Sequence, residues 1–193
     1  MIPTFATDRE IEALLSTPTP GVIAAVQRLP GSFMVLGVGG KMGTTTAVML
    51  RRALDAAGRR DTPVIGVSRF SRDDARHDLE SLGVKTLACD LADGAAVAAL
   101  PDAPNVLYLA GQKFGTDGAP ELTWIQNTVV PAFVAQRFHA SRLVVFSTGC
   151  VYPFVPVDGP GADESTPVAF LGEYASSCVG RERVFSYYGR LHG

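Results

Sequence analysis

Residues 34–43 read Met-Val-Leu-Gly-Val-Gly-Gly-Lys-Met-Gly, an apolar run that breaks into glycines and then into a helical pattern. A chain leaving a buried strand in this way must turn sharply and enter a helix whose N-terminus carries about half a positive charge. Glycine permits the turn, lets an anion approach the backbone N–H groups, and allows the new helix to pack closely on the strand. Read as G-x-G-x-x-G the spacing fails, because Met42 takes the last glycine position; read as G-x-x-G-x-x-G it fits at Gly37, Gly40 and Gly43. No Lys-Ser or Lys-Thr pair closes a Walker-type loop, so a dinucleotide is favoured over a nucleoside triphosphate. The candidate cofactor-binding residues of this loop are Gly37, Gly39, Gly40, Lys41, Met42 and Gly43. An ordinary strand–helix turn shares such glycines, but the flanks argue for the specific reading. Phe33 to Leu36 reads as a buried strand, and Ala47, Leu50, Leu54 and Ala57 recur at helical spacing until Gly58 closes the helix.

From this loop onward strand-like runs alternate with helical patterns: Phe33 to Leu36, Val64 to Val67, Lys85 to Cys89, Val106 to Leu109 and Leu143 to Phe146. Alternation implies right-handed crossovers and an α/β fold, a Rossmann-like doubly wound parallel sheet with helices on both faces. Ser71 with Asp74 three residues later predicts a capping box, and Asp93 predicts the start of the next short helix. Before the first strand, Asp8 to Leu15 and Gly21 to Leu29 read as short amphipathic helices separated by Pro18 and Pro20. The expected organisation is a helical N-terminal extension over 1–30 and a nucleotide-binding domain over 31–193. Pro153 to Pro167 is a loop rich in Pro, Gly and Asp, and the last helix spans about Tyr174 to Gly189. The chain then stops where another parallel strand would enter the sheet, which reads as truncation before the last strands and the substrate region.

Composition narrows the partner. The chain has 193 residues, 47% of them hydrophobic, which is enough to bury a full core as one domain. A net charge of −2 gives no electrostatic footprint for nucleic acid, and no dense cationic run suggests a membrane surface. A small molecule is the expected partner. No signal peptide or membrane-spanning apolar run is evident, so the expected location is cytoplasmic. Cys89, Cys150 and Cys178 are odd in number and lie in or beside apparent elements, which predicts reduced, mostly buried thiols. The three histidines are scattered, and no metal site is expected.

The later motifs carry a resemblance. Cys89-Asp90-Leu91 follows the third strand, Leu109-Ala110-Gly111-Gln112-Lys113 follows the fourth, Asn127 lies within Trp124 to Val130, and Phe146-Ser147-Thr148-Gly149-Cys150-Val151-Tyr152 ends the fifth. With the glycine loop, these resemble, in order, the extended short-chain dehydrogenase/reductases, the NAD-dependent epimerase/dehydratase family, over about Phe33 to Gly189. The resemblance implies that the Asp90 side chain and the Leu91 N–H hold the adenine. It implies that Leu109, Ala110 and Gly111 lie against the cofactor and that Lys113 approaches its phosphates or ribose. Asn127 would brace the strands near the active site. Thr148, assisted by Ser147, would hydrogen-bond the substrate oxygen, and Tyr174 would be the acid/base.

One departure matters. The family pattern pairs its tyrosine with a lysine four residues later, on the same helical face; here Tyr174 is followed at that spacing by Cys178. In the family the lysine holds the nicotinamide ribose and lowers the tyrosine pKa. A free tyrosine has a pKa near 10, so about one in a thousand is ionised at pH 7. A cation about 4 Å away at an effective dielectric near 20 contributes roughly 4 kcal/mol, or about three pKa units, which a neutral thiol cannot supply. Arg181, seven residues after Tyr174, could reach back over Cys178, since helical side chains lean toward the N-terminus; the alternative is a solvated arginine paired with Glu173 or Glu182. Lys113 is the other candidate cation.

The second strand ends in Ser68 and Arg69 rather than in the acidic residue that would hold an adenosine ribose, so NADP is favoured over NAD. The leading expectation is an oxidoreductase, epimerase or dehydratase acting on a hydroxyl-bearing small molecule, such as a sugar or sugar nucleotide. The competing expectation is a non-catalytic dinucleotide-binding regulator, which Cys178 favours. The resemblance also implies a homodimer through the helices around Trp124 and Tyr174.

Overall fold

The computed structural model describes residues 5–71, 73–115 and 117–193. Five strands form one sheet: β1 (Phe33–Leu36), β2 (Val64–Ser68), β3 (Lys85–Ala88), β4 (Asn105–Tyr108) and β5 (Arg142–Val145), in the spatial order β3-β2-β1-β4-β5. β1 pairs in parallel with β2 and β4, and β2 with β3. The order reverses between β1 and β4, and in open α/β sheets of this kind ligands bind beyond the carboxyl ends of the strands at that switch point. Phe33, Met34, Val35 and Leu36 are all buried, so β1 is apolar on both faces, as a central parallel strand must be.

Among the described residues, eight α-helices connect or flank the strands: α1 (Asp8–Leu15), α2 (Pro20–Arg28), α3 (Lys41–Ala56), α4 (Asp73–Ser81), α5 (Gly94–Ala98), α6 (Pro120–Trp124), α7 (Val130–Arg137) and α8 (Gly172–His192). α6 runs into α7 through a single π-helical turn, Ile125–Val129, and a 3-10 turn, Gly149–Val151, follows β5. Among the described residues no helix is long and apolar enough to cross a membrane.

Contacts divide the chain into two units. The first runs to Asp90 and adds Pro101–Leu109 and Ser141–Val144, so it holds nearly all of the sheet, α1 to α4 and the glycine loop. Its core joins Phe33 and Val35 of β1 to Ala47, Leu50, Ala53 and Leu54 of α3, with Val26 of α2 and Leu79 of α4. The two N-terminal helices are tied into this unit. The Arg52 guanidinium donates to Ala13 O and Ser16 Oγ at 2.9 and 2.7 Å, and Arg59 donates to the carbonyls of Val26 and Leu29 at the end of α2.

The second unit comprises Leu91–Leu100, Ala110–Ala140 and Val145–Gly193. Here α8 packs on α6, the π turn, α7 and the 3-10 turn. Asp93 caps α5, accepting from the N–H groups of Ala95 and Ala96, as its sequence position predicts. α8 begins two residues earlier and ends three later than its pattern suggested, because Gly172 at φ +80 allows the loop to turn into the helix and Arg190 and His192 favour its C-terminal end. The Ser71–Asp74 cap spans Arg72, which lies outside the described residues.

Candidate active site

In the first unit the glycine loop is a close-packed backbone turn. Gly37 sits at φ +90, a conformation L side chains rarely adopt, and its carbonyl accepts from Gly40 N at 3.1 Å. A Cβ on Gly43 would lie 2.3 Å from that carbonyl oxygen and 2.8 Å from Val38 Cα, so α3 can start this close to β1 only with glycine there. Thr44 fastens the helix start by donating to Val38 O at 2.9 Å. The N-cap of α3 is Gly40, no side chain caps it, and its first turn has no acidic residue. Such an uncapped N-terminus favours an anion through its N–H groups and the helix dipole. Gly39, Gly40, Lys41 and Met42 are exposed on this loop.

Ser68 closes β2 beside the loop, its hydroxyl where a Gly39 side chain would fall, and Arg69 follows on the surface. The next residue, Phe70, holds φ +48, the one positive φ of a non-glycine residue among the described residues, with the Arg76 guanidinium 5.9 Å from its ring centroid. Asp90 is exposed, and Leu109 N donates to Leu36 O at 2.9 Å, extending the β1–β4 pairing by one residue.

The second unit gathers the residues expected to do chemistry. Tyr174 is in the first turn of α8, near the hydroxyl of Thr148, which opens the 3-10 turn and accepts from Cys150 N at 3.2 Å. Lys113 stands over the Tyr174 ring, its Nζ 5.2 Å from the centroid. Burial drives the Tyr174 pKa above the usual phenol value; the Thr148 hydrogen bond opposes this, Cys178 adds to it, and the Arg181 charge opposes it more weakly. Cys178 is fully buried, packing with Val151 and Val179, and burial raises its thiol pKa too.

Arg181 folds back along α8. It is only 5% exposed, with Nη2 3.2 Å from Cys178 Sγ and Nη1 3.3 Å from Ala110 O. Glu173 instead takes the Trp124 indole N–H, and Glu182 takes the Ser147 hydroxyl. Ser147 is therefore turned to Glu182, while Thr148 alone of the two hydroxyls engages Tyr174. Gly111 faces the guanidinium so closely that a Cβ there would lie 2.8 Å from Arg181 Nη1 and 3.1 Å from Asn127 Oδ1.

Asn127, fully buried on the π turn, clasps the segment after β4. Its Oδ1 accepts from Gln112 N at 3.1 Å, and its Nδ2 donates to Gln112 O and Ser177 Oγ, both at 3.0 Å. Ser177 in turn donates to Tyr174 O at 2.9 Å, so one amide braces both the loop carrying Lys113 and the helix carrying Tyr174. Gln112, Ser177 and Glu182 were given no site role from the sequence. Ser177 had a signal, three residues after Tyr174 on one helical face, whereas the π turn that aims Asn127 has none. Leu91 is buried in this unit, and of the thiols only Cys150 is exposed. Among the described residues no group of three or more His, Cys, Asp or Glu is placed to hold a metal.

Known proteins share this fold. The model of the NAD dependent epimerase/dehydratase family matches residues 33–193. Similar solved structures include a short-chain dehydrogenase/reductase superfamily protein from Agrobacterium tumefaciens with bound NAD, at 21% identity and TM-score 0.61, covering 81% of this chain and 44% of that one. UDP-glucuronic acid 4-epimerase from Bacillus cereus in complex with NAD matches at 18% identity and TM-score 0.61, over 83% and 53%. UDP-glucose 4-epimerase from Brucella ovis in complex with NAD matches at 13% identity and TM-score 0.65, over 85% and 49%. The chain thus spans about half the length of these structures. No curated protein matches it.

Proposed function

The chain belongs to the NAD dependent epimerase/dehydratase family, and from that premise we propose that it binds NAD or NADP and acts at a hydroxyl-bearing carbon of a small molecule, best a sugar nucleotide. The glycine cradle supports the first half: backbone at Gly37 and Gly43 leaves no side chain between the α3 N-terminus and a pyrophosphate. Bound nicotinamide would supply the hydride chemistry; the chain's own residues must hold the dinucleotide and move a proton. The observation that carries the second half is the placement of the Tyr174 phenol between the Thr148 hydroxyl, which favours its ionised form, and the Lys113 ammonium. A hydroxyl and a cation beside the phenol favour the group that would exchange a proton with the substrate. Lys113 over the Tyr174 ring adds positive charge on the same side chain. The UDP-sugar epimerases among the similar structures support a nucleotide-linked sugar as substrate.

NADP is the favoured dinucleotide, since Arg69 follows Ser68 where an acidic residue would repel a 2′-phosphate. Arg69→Ala should weaken NADPH binding several-fold and leave NADH nearly unchanged; equal loss of both would remove the assignment. A homodimer through α6 and α8 is the matching expectation for assembly, supported by exposed Leu122, Trp124 and Ile125.

A second reading is a dinucleotide-binding regulator without turnover. Two observations favour it: Cys178 stands one turn after Tyr174, and burial leaves the phenol harder to ionise than a free tyrosine. Fluorescence titration with NADH and NADPH tests cofactor binding; if neither binds, both readings fall. A screen of UDP-sugars with the parent chain and Cys178→Lys then separates them. Turnover by the parent supports the enzyme, and turnover appearing only in Cys178→Lys supports the regulator.

A further inference from the structure

Among the described residues, Arg181 is a buried charge without an ion-pair partner. Its guanidinium is 5% exposed, its recorded partners are one carbonyl and one thiol, and its Nε has no partner among the described residues. Both nearby carboxylates on α8 are engaged elsewhere, Glu173 by Trp124 and Glu182 by Ser147. Desolvating a guanidinium is costly unless it is paired and hydrogen-bonded, and a carbonyl and a thiol leave its charge unneutralised. The surroundings are shaped to hold it: Gly111 leaves the space that Nη1 fills, and Cys178, small and neutral, lets Nη2 pass toward the N-terminal end of α8.

We infer that Arg181 is an electrostatic positioning residue for Tyr174, projecting a buried positive charge through Cys178 that stabilises the phenolate. This deepens the enzymatic reading above and rests on it for its use in turnover.

The groups facing Tyr174 decide whether the charge is felt. From the loop after β4 comes Lys113, exposed and screened by water; from the 3-10 turn comes Thr148, with the Cys150 thiol acting on Cys178 rather than on Tyr174. From α8 come Cys178, Arg181 and Glu182, whose carboxylate is turned to Ser147. The π turn contributes only neutral Asn127 through Ser177. Lys113 Nζ lies 5.2 Å from the ring centroid but is exposed, whereas Arg181 is buried, acts through low-dielectric protein and is screened far less. A thiolate at Cys178 would cancel it, but burial keeps that thiol protonated at neutral pH.

Tyrosinate absorbance against pH, on the full chain without cofactor, tests this separately from dinucleotide binding. Subtracting the Tyr174→Phe curve isolates Tyr174 from the other four tyrosines. Arg181→Met should raise the Tyr174 midpoint by about one unit, as should Arg181→Gln, which keeps a donor for Ala110 O but no charge. Arg181→Lys should hold it within a few tenths, and Cys178→Lys in the Arg181→Met background should bring it back to the parent value or below. An unchanged midpoint in folded Arg181→Met or Arg181→Gln overturns the inference, and so does Arg181→Lys behaving like the neutral variants. Failure of both neutral variants to fold assigns Arg181 a structural role and overturns it equally. Loss of NADH and NADPH binding with the midpoint shift intact would sink the proposed function and leave this inference standing.

Discussion

The carboxyl end of β1 and the start of α8 hold charge by opposite means. In the glycine loop everything rests on backbone: Gly37 at a positive φ, Gly43 against the Gly37 carbonyl, and a helix start with no side-chain cap. Around Tyr174 everything rests on side chains, Thr148, Lys113, Cys178 and Arg181, held by the amide of Asn127. A backbone device tolerates almost no substitution, because each added atom meets main chain that cannot rotate away. A side-chain device can be rebuilt, since a charge missing at one helical position can enter from the next turn. The family pattern accordingly survives intact in the loop and is altered at Cys178.

The contrast breaks most sharply at Gly43. An alanine Cβ there would meet Gly37 O at 2.3 Å, whereas on Gly40 it would stand 3.4 Å from the same atom. Alanine gains about 1 kcal/mol of helix propensity over glycine, but overpacking against main chain outweighs it. Gly43→Ala should lose about 2–3 kcal/mol in urea denaturation and weaken NADPH binding at least about tenfold, while Gly40→Ala loses under about 1 kcal/mol. Equal stability of the two variants would show that α3 does not start as close to β1 as described.

Asn127→Leu probes the side-chain half. It leaves Gln112 N, Gln112 O and Ser177 Oγ without the partners they have at 3.0 to 3.1 Å. Unsatisfied buried groups cost about 1–3 kcal/mol each, and relaxation toward water recovers part, so a net loss of about 2 kcal/mol is expected. Hydrogen exchange locates it: the Gln112 amide should lose protection while amides of β1 and β2 keep theirs. Uniform loss across the sheet would contradict a local brace.

What the sequence disclosed divides along the same line. The strands were legible to within a residue because each is a short run rich in apolar residues between turn signals, and β1, buried on both faces, was read at its exact bounds. The glycine spacing was legible because only glycine satisfies the backbone at Gly37 and Gly43. The side-chain half was harder to read. Tyr174 and Thr148 were located by a motif, but the engagement of Ser147 by Glu182 joins positions 35 residues apart, which no local pattern encodes. Asn127 was recognised, yet its grip on Gln112 and Ser177 follows from a π turn without a sequence signature. Arg181 could be suspected from helical spacing; its burial could not, because that requires the vacancy at Gly111, seventy positions earlier in the chain.

The finest separation of the two halves lies in alkaline solution. Burial raises the pKa of both Tyr174 and Cys178 in the folded chain. For such groups the folded state holds its proton more tightly than the unfolded one, so the contribution to stability is complete below the unfolded values, about 8.5 for the thiol and 10 for the phenol. It is lost as pH rises from there through the raised folded values, because the unfolded chain then binds fewer protons. The parent should therefore show a melting temperature that declines from about pH 8.5 upward, with a second, steeper decline past about pH 10. Replacing Cys178 with Ala should flatten the first limb, and adding Tyr174→Phe should flatten part of the second, by a few degrees at most because Tyr174 is only half-buried. Backbone amides do not titrate in this range, so dinucleotide affinity measured well below the melting temperature should keep its loop contribution across both limbs. An alkaline limb unchanged in the double variant would mean that the two raised pKa values do not govern it, and the side-chain half would lose its distinctive pH signature.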